Sequence, residues 1–329
     1  MQQRPPVHII TTGGTIASRI DPATGAAVPV VRADELLAQV PALADIADLR
    51  VTEFGLISSW NMTPALMAEL ARTVQATQAE RPGTGVVITH GTDTLEETAF
   101  GLDLLLDAPQ PVVLTGAMRS PSQPAPDGPR NLLAAVRVAA APAARDLGVL
   151  VVLNDEIHAA RYVTKTHTTA LDTFASPGVG PVGLVDDEGV WLRWRPTRLP
   201  RLPLSRPEPR VYLVKMAAGM DDLLLQAVRE AGGRGVVLEG SGAGNVYEGW
   251  QEALRALVAA GVPVVLVSRC GGGRVVAAYG GPGGGQTLRT FGVIPAGDLT
   301  GPKARLALMF ALGAGLGPAA LRAYFAQVA

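Results

Sequence analysis

Uninterrupted apolar, β-branched runs alternate with stretches of helical spacing through the first part of the chain. The apolar runs fall at 7–11, 49–57, 85–89, 111–115 and 148–153. Between them, residues 32–40, 63–78, 92–107 and 129–141 place their apolar positions on one helical face. Thr63 followed by Pro64 opens the second of these helices, a capping hydroxyl with proline at the first helical position. Strands that are apolar throughout belong to parallel sheets covered by helices on both faces. The stretch 157–194 breaks this rhythm with Thr-rich and Gly-Val-rich segments that predict hairpins.

RPTRLPRLPLSRPEPR (195–210) has almost no periodicity and predicts an extended, semi-rigid linker. It separates a larger N-terminal α/β domain, 1–194, from a smaller C-terminal α/β domain, 211–329. The second domain predicts strands at 211–216, 235–239 and 262–268, with helices near 220–231 and 248–260. Two further helices are expected over 302–327, and the glycine-rich 270–286 reads as a mobile loop or hairpin. The expected fold class is therefore α/β: two domains with mostly parallel sheets flanked by helices.

Composition narrows the function classes. At 329 residues the chain exceeds what one core normally serves, and 48% hydrophobic residues supply two. A formal net charge of −1 excludes the basic footprint of a nucleic-acid binder. The solitary Cys270 excludes an intrachain disulfide framework. No apolar run reaches the roughly 20 residues of a membrane span. The N-terminus leads straight into a strand without a signal-peptide pattern, so a soluble cytoplasmic protein is expected.

Two threonines stand just past buried strands. In VHIITTGGTIAS (7–18), Gly13 and Gly14 permit a sharp turn and close approach of a substrate to Thr15. A threonine hydroxyl becomes a useful nucleophile only when a base takes its proton, and otherwise serves as a cap. In GVVITHGTDTLEETAF (85–100), Thr92 offers a second hydroxyl, and Asp93 can hold an ammonium group. The plain alternative there is a capping box in which Glu96 or Glu97 reaches back to Thr92 or Asp93. Lys165, in YVTKTHTT, is either a base held beside a carboxylate or a surface residue on a hairpin. Its surroundings in the sequence favour the surface. His90, His158 and His167 lack metal-ligand spacing, no serine sits in a Gly-x-Ser-x-Gly elbow, and GSGAGN (240–245) lacks the spacing of a dinucleotide loop.

Taken together, TTGGTIAS (11–18), ITHGTDTLEETA (88–99), VVLTGAMR (112–119), DGPRNL (127–132), GVLVVLND (148–155), VTKTHTT (163–169) and GPKAR (301–305) resemble the bacterial L-asparaginases of the asparaginase/glutaminase family. The resemblance implies catalytic roles for Thr15, Thr92, Asp93 and Lys165, with Thr15 matching the nucleophile. It implies that Ser59 binds the substrate carboxylate, that Asp93 also holds the α-ammonium, and that the Ala117 carbonyl faces the side-chain amide. Trp60 falls where the family often has glutamine. Asn245 matches an asparagine that completes the site from a neighbouring subunit. A homodimer or homotetramer acting on L-asparagine, with no metal or organic cofactor, nucleic acid or membrane, is what such a resemblance implies.

Two departures accompany it. The stretch DPATGAAVPV (21–30) has no tyrosine where the family commonly carries one, and the position of a partner-subunit glutamate falls near Gly285. These imply lower efficiency or an altered substrate. Three alternative functions are a glutaminase-asparaginase of broader or weaker activity, an archaeal amidotransferase subunit of the same group, and a non-catalytic binder of asparagine or aspartate.

Overall fold

A computed structural model describes residues 4–30, 32–107 and 109–329. Residues 1–3, the start of the stretch expected to lead straight into a strand, lie outside these. The chain forms two compact units, Met1–Arg201 and Leu202–Ala329.

The first unit is built on an eight-stranded sheet in the order Val190–Leu192, Gly183–Val185, Glu156–Ala159, Val149–Leu153, Val112–Thr115, Gly85–Thr89, Pro6–Thr11 and Asp48–Glu53. The last five are mutually parallel, and the first three add antiparallel pairings at one side. Taken in chain order, the parallel strands run 2-1-3-4-5 across the sheet. Connections therefore leave in opposite directions on either side of Pro6–Thr11, and such a switch point opens a crevice beyond the strand carboxyl ends.

Burial follows the pleat. Val7, Ile9, Val87, Val113, Leu150 and Val152 share one cluster with Leu132, Ala135, Val136 and Val138 of the helix Gly128–Ala140. Ile10, Val86, Ile88, Val112 and Leu114 occupy alternate strand positions and are buried as well. A sheet covered on both faces selects continuous apolar strands, which explains why they were legible in the sequence. The helix Pro64–Glu80 begins as expected, with the Thr63 hydroxyl accepting from the Leu66 N–H at 3.2 Å.

Three boundaries differ from expectation. The strand predicted over 49–57 ends at Glu53 because Phe54 and Gly55 both donate to the Thr11 carbonyl and Ile57 donates to Thr12. These bonds fold the chain over the end of its neighbour. The helix predicted from 92 starts at Leu95, leaving Thr92 and Asp93 in the preceding turn. The helix predicted over 32–40 spans Ala33–Ala38.

The second unit carries four parallel strands in sequential order: Val211–Lys215, Gly235–Gly240, Val264–Ser268 and Ile294–Pro295. Sequential right-handed crossovers put the connecting helices on one face. There Leu225 and Val228 pack with Trp250, Leu254 and Leu257. The helix Gly301–Gly313 packs against the first three strands, and Pro318–Val328 packs against the fourth. Among the described residues no helix is long and apolar enough to cross a membrane.

Candidate active site

Three loops meet beyond the carboxyl ends of adjacent strands in the first unit. After Pro6–Thr11 comes Gly13-Gly14-Thr15; after Asp48–Glu53 comes Ser58-Ser59-Trp60; after Gly85–Thr89 comes His90 to Thr94. The strands hold the loops in register, since the Thr12 hydroxyl and amide both donate to the Thr89 carbonyl, at 2.8 and 3.1 Å.

The loops also touch directly. Gly14 adopts φ 84° and ψ −178°, a conformation essentially confined to glycine. A Cβ there would lie 2.3 Å from the Gly91 nitrogen, and one on Gly91 would lie 2.7 Å from the Ser59 hydroxyl oxygen. Both glycines are therefore required for backbones to come together, not merely for a turn.

A cavity of about 120 Å³ lies where they join, lined by Gly14, Thr15, Ser18, Ser58, Ser59, Trp60, Gly91, Thr92 and Asp93. Five residues singled out in the sequence thus line one pocket. Ser59 is buried, and its Oγ accepts the Asp93 N–H at 3.3 Å while its carbonyl accepts the Thr94 hydroxyl at 2.6 Å. The serine's own hydrogen remains free to be donated. Trp60 is 69% exposed and stands at the rim.

Lys165 joins this group from outside the sheet. It sits on the two-residue strand Thr164–Lys165, paired antiparallel with Phe174–Ala175. Its Nζ donates to Thr92 Oγ1 at 2.9 Å and to Asp93 Oδ1 at 2.8 Å. The Lys165 side chain is 16% exposed and that of Asp93 51%. A carboxylate this open to water adds little stability to an ion pair, so the pair's importance is positional. The surface-hairpin reading of Lys165 fails on this geometry.

For Glu96 the capping-box reading also fails. Thr94 caps the helix Leu95–Leu105 without a side-chain hydrogen bond, and Glu96 accepts from the Lys165 backbone N–H at 2.5 Å instead. His90 is fully buried under the turn. Its Nδ1 faces the Gly91 carbonyl at 2.7 Å and must donate, so Nε2 accepts the Thr98 hydroxyl at 3.0 Å. Burial pushes this imidazole down to about 4, against the opposing bond to Gly91. It is neutral at pH 7, a shaped wedge rather than a charge.

Ala117 is fully buried in the turn after Val112–Thr115, beside Gly116, whose added Cβ would lie 3.4 Å from the Thr92 methyl. Motif DGPRNL (127–132) explains how that turn is held, a function not evident from the sequence. Asp127 accepts the N–H groups of Met118 and Arg119, and Asn131 donates to the Gly116 carbonyl. Asn245 lies in the second unit, where its Oδ1 accepts the Gly285 N–H at 3.2 Å. Among the described residues no group of three His, Cys, Asp or Glu could hold a metal ion.

Comparison with known proteins assigns the family. Residues 6–198 match the N-terminal asparaginase family model, and residues 210–325 match the glutaminase/asparaginase C-terminal domain. The chain is 39% identical to a probable L-asparaginase of Deinococcus radiodurans, covering 98% of each protein. It is 35% identical to L-asparaginase 2 of Bacillus subtilis, covering 98% of this chain and 86% of that one. A glutamyl-tRNA(Gln) amidotransferase component of Archaeoglobus fulgidus is 37% identical, over 94% of this chain and 75% of its own. The crystal structure of a probable cytoplasmic L-asparaginase from Campylobacter jejuni superposes with a TM-score of 0.90 at 34% identity, covering 98% of this chain and all of the other. Two adjoining family models, relatives along nearly the whole chain and a shared fold make this protein a member of the asparaginase/glutaminase family.

Proposed function

We propose that this chain hydrolyses the side-chain amide of L-asparagine to L-aspartate and ammonia through an acyl-enzyme on Thr15. It would act as a cytoplasmic homodimer or homotetramer, without metal or organic cofactor. The observation that carries the reading is Lys165 Nζ bonded to both Thr92 and Asp93 at a pocket that Thr15 shares.

The substrate is a zwitterion, so its two charged ends must be held before reaction. Asp93 meets the α-ammonium, the free Ser59 hydrogen meets the α-carboxylate, Trp60 covers the outer side, and the Ala117 carbonyl accepts from the amide. Fixing both ends sets the carboxamide carbon against one hydroxyl and converts binding into reactivity. Thr15 Oγ1 attacks that carbon, and its proton passes through Thr92 and Lys165 to the departing nitrogen, which leaves as ammonia. The backbone N–H groups around Thr92 face the developing oxyanion. Water then cleaves the ester, and its proton returns to Thr15 by the same relay. Asn245 completes the site from a neighbouring copy of the chain.

Single-turnover ammonia release from asparagine tests this. Thr15→Ala and Thr92→Val should each lose about 10²- to 10⁴-fold, and near-normal release from both rejects the mechanism. Glutamine run in parallel reads the substrate preference, since one methylene is worth about 1–3 kcal/mol. A second reading, a component of an amidotransferase, is favoured by the 37% identity to the Archaeoglobus protein. Ammonia release from free asparagine with no other protein or RNA present separates the two. A non-catalytic binder of asparagine has no use for the Lys165–Thr92 contact.

A further inference from the structure

The Lys165 ribbon is a weak support for a residue whose placement matters. Its two strands have two residues each and pair only with one another, apart from the eight-stranded sheet. Isolated two-stranded ribbons are marginal on their own. Lysine adds a flexible four-carbon stem whose rotamer freedom must be restrained.

The backbone N–H of Lys165 leaves the ribbon and donates to Glu96 Oε2, across 69 residues of sequence. Glu96 stands in the first turn of the helix Leu95–Leu105, just after the turn bearing Thr92 and Asp93. Lys165 is thereby gripped at both ends by one short segment: its main chain by Glu96, its Nζ by Thr92 and Asp93. The Glu96 carboxylate is not spent on the cap, since the bond it makes is to Lys165. A negative charge in the first turn is favourable there in its own right.

We propose that Glu96 is a positioning residue that fixes the main chain of Lys165 and, through it, holds Lys165 Nζ on Thr92 and Asp93. The proposal deepens the hydrolase reading and rests on it for its kinetic consequence. Its structural consequence is independent of turnover.

The chain has only three lysines, Lys165, Lys215 and Lys303. Protein labelled with ¹³C at lysine Cε therefore gives three resonances, with the exposed Lys215 as internal reference. Glu96→Ala should shift and broaden the Lys165 signal and lower kcat by about 10- to 100-fold, with KM within about threefold, as expected for a misplaced relay group. Glu96→Gln, which keeps an oxygen acceptor, should restore both readouts to within about threefold of wild type. An unmoved Lys165 resonance with unchanged kcat in Glu96→Ala overturns the proposal. So does a Glu96→Gln as impaired as the alanine variant, because charge rather than hydrogen-bond acceptance would then be at work. Should Glu96→Ala fail to fold, Glu96→Asp, one methylene short of the N–H, is read by the same criteria. A wild-type protein that releases no ammonia from asparagine sinks the hydrolase reading alone, and the resonance shift still decides the role of Glu96.

Discussion

After the strand Gly85–Thr89 the chain turns through Gly91, Thr92 and Asp93; after Gly235–Gly240 it turns through Ser241, Gly242, Ala243, Gly244 and Asn245. Both turns leave a central parallel strand, and both contain glycine. In the second, the polar groups bond to one another: Ser241 and Asn245 exchange backbone bonds at 2.8 and 2.9 Å, and the Ser268 hydroxyl donates to the Gly242 carbonyl. In the first, the Thr92 and Asp93 side chains are met by a lysine from a distant ribbon and face a cavity on their other side. The parallel sheet supplies a place at its strand ends in both units. Chemistry arises only where the side chains there keep bonding capacity that the turn itself does not consume.

The sharpest way to break this comparison is to add one methyl against the first turn, from the neighbouring Gly14 loop, and one within the second. Gly14→Ala puts a Cβ against the Gly91 backbone in a conformation confined to glycine. Strain and overpacking together should cost about 3 kcal/mol or more and part the loops that form the pocket. At Gly242 (φ 52°) an added Cβ meets nothing within 4 Å. Gly242→Ala should cost about 1 kcal/mol, the ordinary penalty of a left-handed residue. Urea unfolding and ammonia release measure both. Equal stability and activity of the two variants would show that the first-unit loops do not depend on close contact.

The four histidines, His8, His90, His158 and His167, all lie in the first unit, so protonation of imidazole separates the units further. Burial pushes both His90 and His158 down to about 4. His158 Nδ1 lies 2.9 Å from the Ser176 hydroxyl, and its Nε2 lies 3.2 Å from a Glu156 carboxylate that burial holds above the usual range. A depressed folded-state value means that the unfolded chain binds more protons between about pH 4 and 6.5. Stability from these groups is complete above 6.5, falls as the pH drops through that window, and is level below it. At pH 5 each imidazole should have cost about 2 kcal/mol. Denaturant unfolding at pH 7 and pH 5 reads the sum, to which His8, also lowered by burial, adds, and His158→Phe should remove about 2 kcal/mol of the loss. A pH dependence unchanged by that substitution rules out the imidazole account.

The sequence reveals the first-unit turn far better than the ribbon that serves it. Thr15, Thr92 and Asp93 follow directly on apolar strands, so a local pattern marks their place. Lys165 has no such marker: a two-residue strand carries no periodicity, and the residues that follow it, 166–169, are solvent-facing. Only the contacts with Thr92 and Asp93, 73 and 72 residues away, separate it from an ordinary surface lysine. Glu96 misleads for the same reason. Its spacing from Asp93 fits a local capping box, while its partner lies across the fold. The close approach of Gly14 and Gly91 was likewise invisible, because either glycine alone is explained by a turn.

The smallest effect concerns the second unit's one proposed contribution. The Asn245 Oδ1 is occupied by the Gly285 N–H, which orients the amide and leaves its Nδ2 hydrogens to donate. Asn245→Ala should raise KM for asparagine by about tenfold, equivalent to one hydrogen bond to a charged group. Mixing then tests whether the residue is donated between copies. Asn245→Ala keeps Thr15, and Thr15→Ala keeps Asn245, so neither homo-oligomer has a complete site. A mixed oligomer, after unfolding and refolding the two proteins together, pairs the intact Thr15 of one chain with the intact Asn245 of the other. A component with wild-type KM should reappear on mixing if Asn245 acts across the interface. Its absence, with mixed oligomers demonstrated by differential tags, would return Asn245 to a purely local role and leave the second unit's turn as closed as its hydrogen bonds make it look.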